Sequence, residues 1–84
     1  MSEIKNKVTV EIYGESYALK GNLEEARIRR LAVMLDERMK KTAKVNLRLS
    51  PAKIAVLTAL NIADEFLRLE QDYLELLELI KEDK

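Results

Sequence analysis

From Lys7 to Lys20 the chain alternates. Val8, Val10 and Ile12 are apolar, and Thr9, Glu11 and Tyr13 stand between and after them. This is the period of a strand with one buried face. Gly14-Glu15 follows, and glycine at the first position of a two-residue loop suits a type II′ hairpin turn. That loop predicts a register in which Tyr13 faces Ser16, Ile12 faces Tyr17 and Val10 faces Leu19. All the apolar pairs then share one face, with Thr9, Glu11, Ala18 and Lys20 on the other. A lone two-stranded hairpin is barely stable in water, so the apolar face is expected to rest on a helix.

After Gly21 the period changes. Asn22 stands where it can cap a helix, with Glu25 three residues on in the capping-box position. Ile28, Leu31, Ala32, Leu35 and Met39 recur at helical spacing, with charged residues largely filling the other faces. VNLRLS reads as a connector. Ser50-Pro51 then supplies an N-cap and a first-turn proline. Neither Gly nor Pro follows, so one helix is expected over 51–83, about 50 Å long at 1.5 Å per residue. The polar residues 1–6 are expected to fray. The predicted organisation is a globular head over residues 1–53, with a hairpin at about 7–20 and a helix at about 23–43. A long helix over 51–84 follows, its first part packed on the head and the rest a coiled-coil oligomerisation segment.

On that helix one row runs Ala52, Ala55, Ala59, Ile62, Phe66, Leu69, Tyr73, Leu76, Ile80, an unbroken a/d seam. A second row runs Val56, Leu60, Ala63, Leu67, Leu74, Leu77, interrupted by Glu70. The remaining side, with Asn61, Asp64, Arg68, Gln71, Glu75, Glu78 and Glu82, is wet. The seam suits a partner helix. The second row needs cover near its start, where Ile54 and Leu57 make the helix apolar nearly all round, and the hairpin and first helix are expected to supply it. Leu74, Leu77 and Leu79 lie beyond the head's reach and call for another chain. Burying one Leu or Phe contributes about 1.5–3 kcal/mol, so the large seam residues, doubled in a dimer, outweigh the entropy of association. An intramolecular bundle is the alternative, but the helix over 23–43 is too short to line the whole seam. The expected fold class is α+β, an obligate oligomer whose interface is Ala59, Ile62, Phe66, Leu69, Tyr73, Leu76 and Ile80.

Composition sharpens this. A chain of 84 residues has a marginal core and needs a disulfide, a metal or a second chain. There is no Cys and no His, which removes disulfides, thiolate sites, the commonest metal ligand and the usual general base. No apolar run approaches the length of a membrane span, and the start lacks a signal-peptide core, so a cytoplasmic protein without membrane partners is expected. Net charge is zero, yet residues 1–53 carry 12 basic and 7 acidic side chains, a net of +5, and residues 54–84 carry 3 and 8, a net of −5. Asp64-Glu65 and Glu75/Glu78 lie on the wet side with no pocket to tune them, so no catalytic pair is read there. No phosphate loop is present, and no cofactor is expected. The basic residues Arg27, Arg29, Arg30, Arg38, Lys40, Lys41, Lys44, Arg48 and Lys53 raise the question of nucleic acid. They are interleaved with Glu24, Glu25, Asp36 and Glu37, and the pI is 6.3. An acidic protein surface is the better-matched target. Asn61, in the run ALNIAD, either bonds to the head and fixes register or is a partly exposed helix residue.

Three stretches, VEIYGESYAL, RLAVMLDERM and SPAKIAVLTALNIADEFLRLEQDYLELL, resemble the ZapA family of bacterial cell-division proteins. The resemblance runs from residue 7 to about 80, and the pairing of IYG with AVLTALNIADE carries most of it. It implies a cytoplasmic protein of the mid-cell division site, with a small ββα head and a long C-terminal coiled coil. It implies homodimers, with pairing of dimers into tetramers left open because the coiled coil stops soon after Ile80. It also implies binding to filaments of FtsZ, the tubulin-like division GTPase, and bundling of those filaments without catalysis or cofactor. Partner binding in the family is attributed to charged head residues. Glu15 follows the hairpin glycine where some relatives have a basic residue, so no contact is carried over there. Arg29, Arg30, Arg48 and Lys53 are chosen on head charge alone. The competing reading is a dimeric nucleic-acid-binding regulator that reads a groove with its hairpin or first helix.

Overall fold

The computed structural model of the chain describes residues 6–82. Two strands, β1 (Asn6–Ile12) and β2 (Glu15–Gly21), form an antiparallel hairpin, followed by α1 (Glu25–Lys44) and α2 (Pro51–Glu82). The chain spreads over 52 × 46 × 15 Å, a flat, open arrangement rather than a bundle. The fraying expected for residues 1–5 lies outside the described residues, and Asn6 opens β1.

The hairpin forms in a different register from the one the turn residues suggest. Ile12 pairs with Glu15, Val10 with Tyr17 and Val8 with Leu19, so the two-residue loop is Tyr13-Gly14. Both loop residues have positive φ, 51° and 83°, as a type I′ turn requires. That turn is favoured because its twist matches that of the strands. The pairing has slid by two residues. An even slide preserves the alternation, so Val8, Val10 and Ile12 still share a face with Tyr17 and Leu19, although each has a different partner.

A bulky residue at positive φ is uncommon and costs free energy. Tyr13 is held there by a distant group: its N–H donates to Asp36 Oδ1 at 2.7 Å, from the middle of α1. Asp36 in turn pairs with Lys40 at 3.0 Å. The Tyr13 N–H first, and then Lys40, hold the Asp36 carboxyl below its ordinary pKa.

α1 starts two residues later than predicted. Glu24 is the N-cap, with extended backbone and no side-chain cap bond, and its carbonyl accepts the N–H of Arg27 and of Ile28, each at 3.0 Å. Asn22 therefore caps nothing, because β2 runs on to Gly21 and residues 22–23 are spent turning the chain. Val8, Val10, Ile28 and Ala32 form the core, with Ile12 packed against it. Leu31, counted among the apolar positions of α1, is instead about half exposed.

α2 folds back antiparallel to α1 through the connector at 45–50. Ser50 caps it, its Oγ accepting the Lys53 N–H at 3.3 Å. Ile54 and Thr58 are fully buried against α1. The Thr58 hydroxyl donates to Thr42 Oγ1 at 3.2 Å, and the Thr42 hydroxyl donates to the Arg38 carbonyl at 3.0 Å. Asn46 Nδ2 donates to the Thr42 carbonyl at 2.8 Å. This docking corrects one expectation. α1 covers Ile54, Leu57 and Thr58, whereas Val56 and Leu60, the start of the second row, stay exposed. At about 100° per residue, Val56 points away from the face that carries Ile54.

Two outcomes test this account. Gly14→Ala should destabilise the chain by about 1 kcal/mol, because alanine is strained at positive φ; urea denaturation measures it. The Asp36 carboxyl titrates lower in the folded chain than in the unfolded one. Its stabilisation is therefore present above the ordinary carboxyl value and is lost as pH falls through the folded value, that is, below about pH 4. Asp36→Asn should flatten that acid limb in a pH series of thermal melts. An unchanged acid limb would contradict the role given to Asp36.

Candidate interaction surfaces

α2 is 32 residues long, about 48 Å at 1.5 Å per residue, and α1 holds only its beginning. The contact runs through Ile54, Thr58 and finally Glu65, whose carboxylate pairs with the Arg38 guanidinium. That pairing holds the Glu65 carboxyl below its ordinary pKa and raises that of Arg38. Beyond it, the side-chain ion pair and hydrogen bond of α2 among the described residues lie within the helix itself. Arg68 pairs with Asp64 at 3.3 Å, and Gln71 Nε2 donates to Glu75 Oε2 at 3.3 Å. Surface ion pairs of this kind contribute about 0–1 kcal/mol.

Apart from Ile62, the seam residues are exposed. Ala59 is exposed and Ile62 half-buried. Phe66 is 62% exposed and Leu69 68%, and Tyr73, Leu76 and Ile80 are similarly open. The second row is open as well, at Val56, Leu60, Leu67, Leu74 and Leu77. Heptad spacing on one straight helix puts the seven predicted interface residues on a common face. A contiguous apolar surface of this size marks an interaction site. Asn61 is exposed in a shallow hollow that it lines with Arg38, Thr42 and Glu65, among others. That matches the reading of it as a partly exposed helix residue.

The four basic candidates fall into two groups. Arg29 and Arg30 sit in the early turns of α1. The Arg29 guanidinium is already engaged: Nε and Nη2 lie 3.0 and 2.9 Å from Glu25 Oε2, and Nη1 donates to the Thr9 carbonyl at 3.4 Å. It ties α1 to β1. Arg30 lines a hollow with Arg27, Leu31 and Met34. Arg48 and Lys53 are exposed at the connector, past the far end of α1. Lys44 lies fourteen positions beyond Arg30 on α1, about 21 Å along the axis, so the four make no single patch.

The connector carries a feature that the count of basic residues hid. Between Glu37 and Asp64 there is no acidic residue, while Arg38, Lys40, Lys41, Lys44, Arg48 and Lys53 all fall there. Val45 and Leu47, among these cations, are 80% and 84% exposed. The turn between α1 and α2 is thus a protruding, purely basic apex with aliphatic side chains at its tip. The charge run was visible in the sequence; the protrusion was not. Asp36, Thr42 and Thr58 gave no sequence signal at all, because their roles depend on partners 16 to 23 residues away.

Among the described residues, no group of His, Cys, Asp and Glu side chains could hold a metal ion, and no helix is long and apolar enough to cross a membrane. The family described as Cell division protein ZapA matches residues 8–83. Cell division protein ZapA of Geobacillus kaustophilus is 41% identical over 80 residues, which cover 95% of this chain and 88% of that protein. The protein of the same description from Oceanobacillus iheyensis is 38% identical over 79 residues, 94% of this chain and 92% of its own. A solved structure, a ZapA mutant dimer from Geobacillus stearothermophilus, superposes with a TM-score of 0.72 at 38% identity, covering 95% of this chain and 93% of that one. A hairpin, a short helix and a long, apolar-faced second helix thus occur together in a chain that aligns with these relatives over nearly its whole length, and it belongs to the ZapA family of cell division proteins.

Proposed function

We propose that the chain is a non-enzymatic cross-linker of division filaments. Two copies join along α2, and each presents a head that binds FtsZ polymers in the cytoplasm at mid-cell. The head comprises the residues up to about 53, the first part of α2 packs on it, and the rest of α2 is the coiled-coil segment. The observation that carries this reading is the run of exposed apolar residues from Phe66 to Ile80 on a helix that its own chain holds only at one end. A second copy is the natural cover for a heptad seam. The solved relative described as a dimer supports self-association.

Joining two weak sites through one rigid rod raises the effective affinity for a repeating lattice and bridges neighbouring filaments. No bond is made or broken, so the absence of His and Cys from the sequence costs the mechanism nothing. For the contact itself, the basic apex around Arg48 and Lys53 suits an acidic polymer surface better than the Arg29 site. Arg29 already serves Glu25 and Thr9, whereas Arg48 and Lys53 stand in a stretch without acidic neighbours. Complementary charge of this kind steers encounter and is sensitive to salt.

Phe66→Glu should leave the chain monomeric and abolish the increase in pelleting and light scattering of polymerised FtsZ. Bundling by that monomer at the parent level would overturn the bivalent mechanism. Replacing both Arg48 and Lys53 by Glu should lower co-pelleting by about tenfold, with the dimer mass unchanged, because two charge-assisted contacts of about 0.5–1 kcal/mol each become repulsive. The Arg29→Glu variant should lose less binding than that pair, and should lose stability instead.

A further inference from the structure

Val45 and Leu47 are the most exposed large apolar side chains among the described residues, at 80% and 84%; the next, Leu69, stands at 68%. A single exposed aliphatic residue needs no explanation. These two have one residue between them at the tip of the turn joining α1 to α2, with Lys44 and Arg48 directly on either side. The turn is held by its own backbone. The Val45 N–H donates to the Thr42 carbonyl at 3.3 Å, the Asn46 N–H to the Ala43 carbonyl at 3.1 Å and the Leu49 N–H to the Asn46 carbonyl at 3.2 Å. Its polarity is reversed. Asn46, the polar residue between the two aliphatics, turns inward and donates to the Thr42 carbonyl at 2.8 Å, and it is half-buried. Val45 and Leu47 face out. A turn that met only water would gain from the opposite arrangement.

Charge narrows the choice of partner. Lys44, Arg48 and Lys53 make no ion pair among the described residues, whereas Arg29, Arg38, Lys40 and Arg68 are each paired. No acidic residue lies between Glu37 and Asp64. Protein interfaces centre on aromatic and arginine anchors seated in pockets. Residues 40–53 contain no aromatic side chain, and the apex protrudes. A headgroup layer is soft and needs no matching pocket.

We propose that the apex docks on an anionic lipid surface. Val45 and Leu47 enter the headgroup layer, and Lys44, Arg48 and Lys53 lie against its phosphates. Attachment of this kind needs two signals, apolar insertion and charge, and the apex carries both. Each Lys or Arg near an anionic leaflet strengthens binding about fivefold. The expectation of no membrane partners rested on the lack of a spanning segment. No described helix is long and apolar enough to span, and contact with one leaflet needs no span. The inference does not rest on the filament reading: the cations are shared with it, but the two aliphatic side chains have no part in it.

The chain has no tryptophan, so Leu47→Trp gives a single reporter at the tip. Vesicles of phosphatidylglycerol and phosphatidylcholine in equal parts should shift its emission to the blue, and vesicles of phosphatidylcholine alone should not. Val33→Trp, on α1, should respond to neither. The Val45→Ser/Leu47→Ser pair keeps every charge. Its sedimentation with the mixed vesicles should fall at least tenfold, with far-ultraviolet circular dichroism and particle mass as in the parent. Its co-pelleting with FtsZ should stay at the parent level, so the two contacts are read separately. An emission of Leu47→Trp that the mixed vesicles leave unmoved overturns the inference, as does a shift of equal size at Val33→Trp. A serine pair that sediments like the parent overturns it in favour of charge attraction alone. A serine pair that loses FtsZ co-pelleting, from a parent that binds no vesicles, overturns it in favour of a protein contact at the tip.

Discussion

One chain grips α2 by its first turns and then lets go. The grip is small and well defined. Ile54 and Thr58 are fully buried against α1, a hydroxyl pair links Thr58 to Thr42, and one ion pair joins Arg38 to Glu65. It fixes which face of a 32-residue helix looks at its own head. Every other face of that helix is left to the solvent or to another molecule. A helix this long and this apolar is not stable as an isolated rod, because most helical stability in proteins comes from packing an apolar face. The remaining surface therefore dictates association, and the placement of Thr58 dictates which rows are available for it.

The head shows the same incompleteness at smaller scale. Its core rests on a few side chains from β1, α1 and α2, and specific polar contacts complement them. Asp36 holds the hairpin turn from the side, and Arg29 binds α1 to the β1 backbone. In an 84-residue chain without cysteine, such contacts fix geometry more than they supply stability. The charge asymmetry fits this division. The connector apex is purely basic, the distal part of α2 is acidic, and the start of α2 between them is uncharged.

Much of this was legible in the sequence. The order of elements, the α+β class and the Ser50-Pro51 helix start all follow from local periodicity and capping chemistry, and the structure has each of them. What escaped depended on contacts between distant residues. Gly14-Glu15 looked like the hairpin loop because glycine tolerates its first position. The real loop places Tyr13 at positive φ, which local preference disfavours and which Asp36, 23 residues on, makes acceptable. Asn22 and Glu25 spelled a capping box, but β2 consumed the chain as far as Gly21. Val56 and Leu60 were assigned to the head because they neighbour Ile54 in sequence. The rotation of α2 about its axis was decided instead by Thr58, a polar residue that no hydrophobic pattern marks.

The central claim is that the apolar faces of α2 are covered by a second copy whenever the chain is folded. Light-scattering mass, measured across a wide dilution series alongside circular dichroism, tests it most directly. The account predicts a particle of twice the 9.7 kDa chain mass, or a multiple of that pair, with helix content falling only as the particle dissociates. A particle of single-chain mass that keeps its full helix content at every dilution would contradict it.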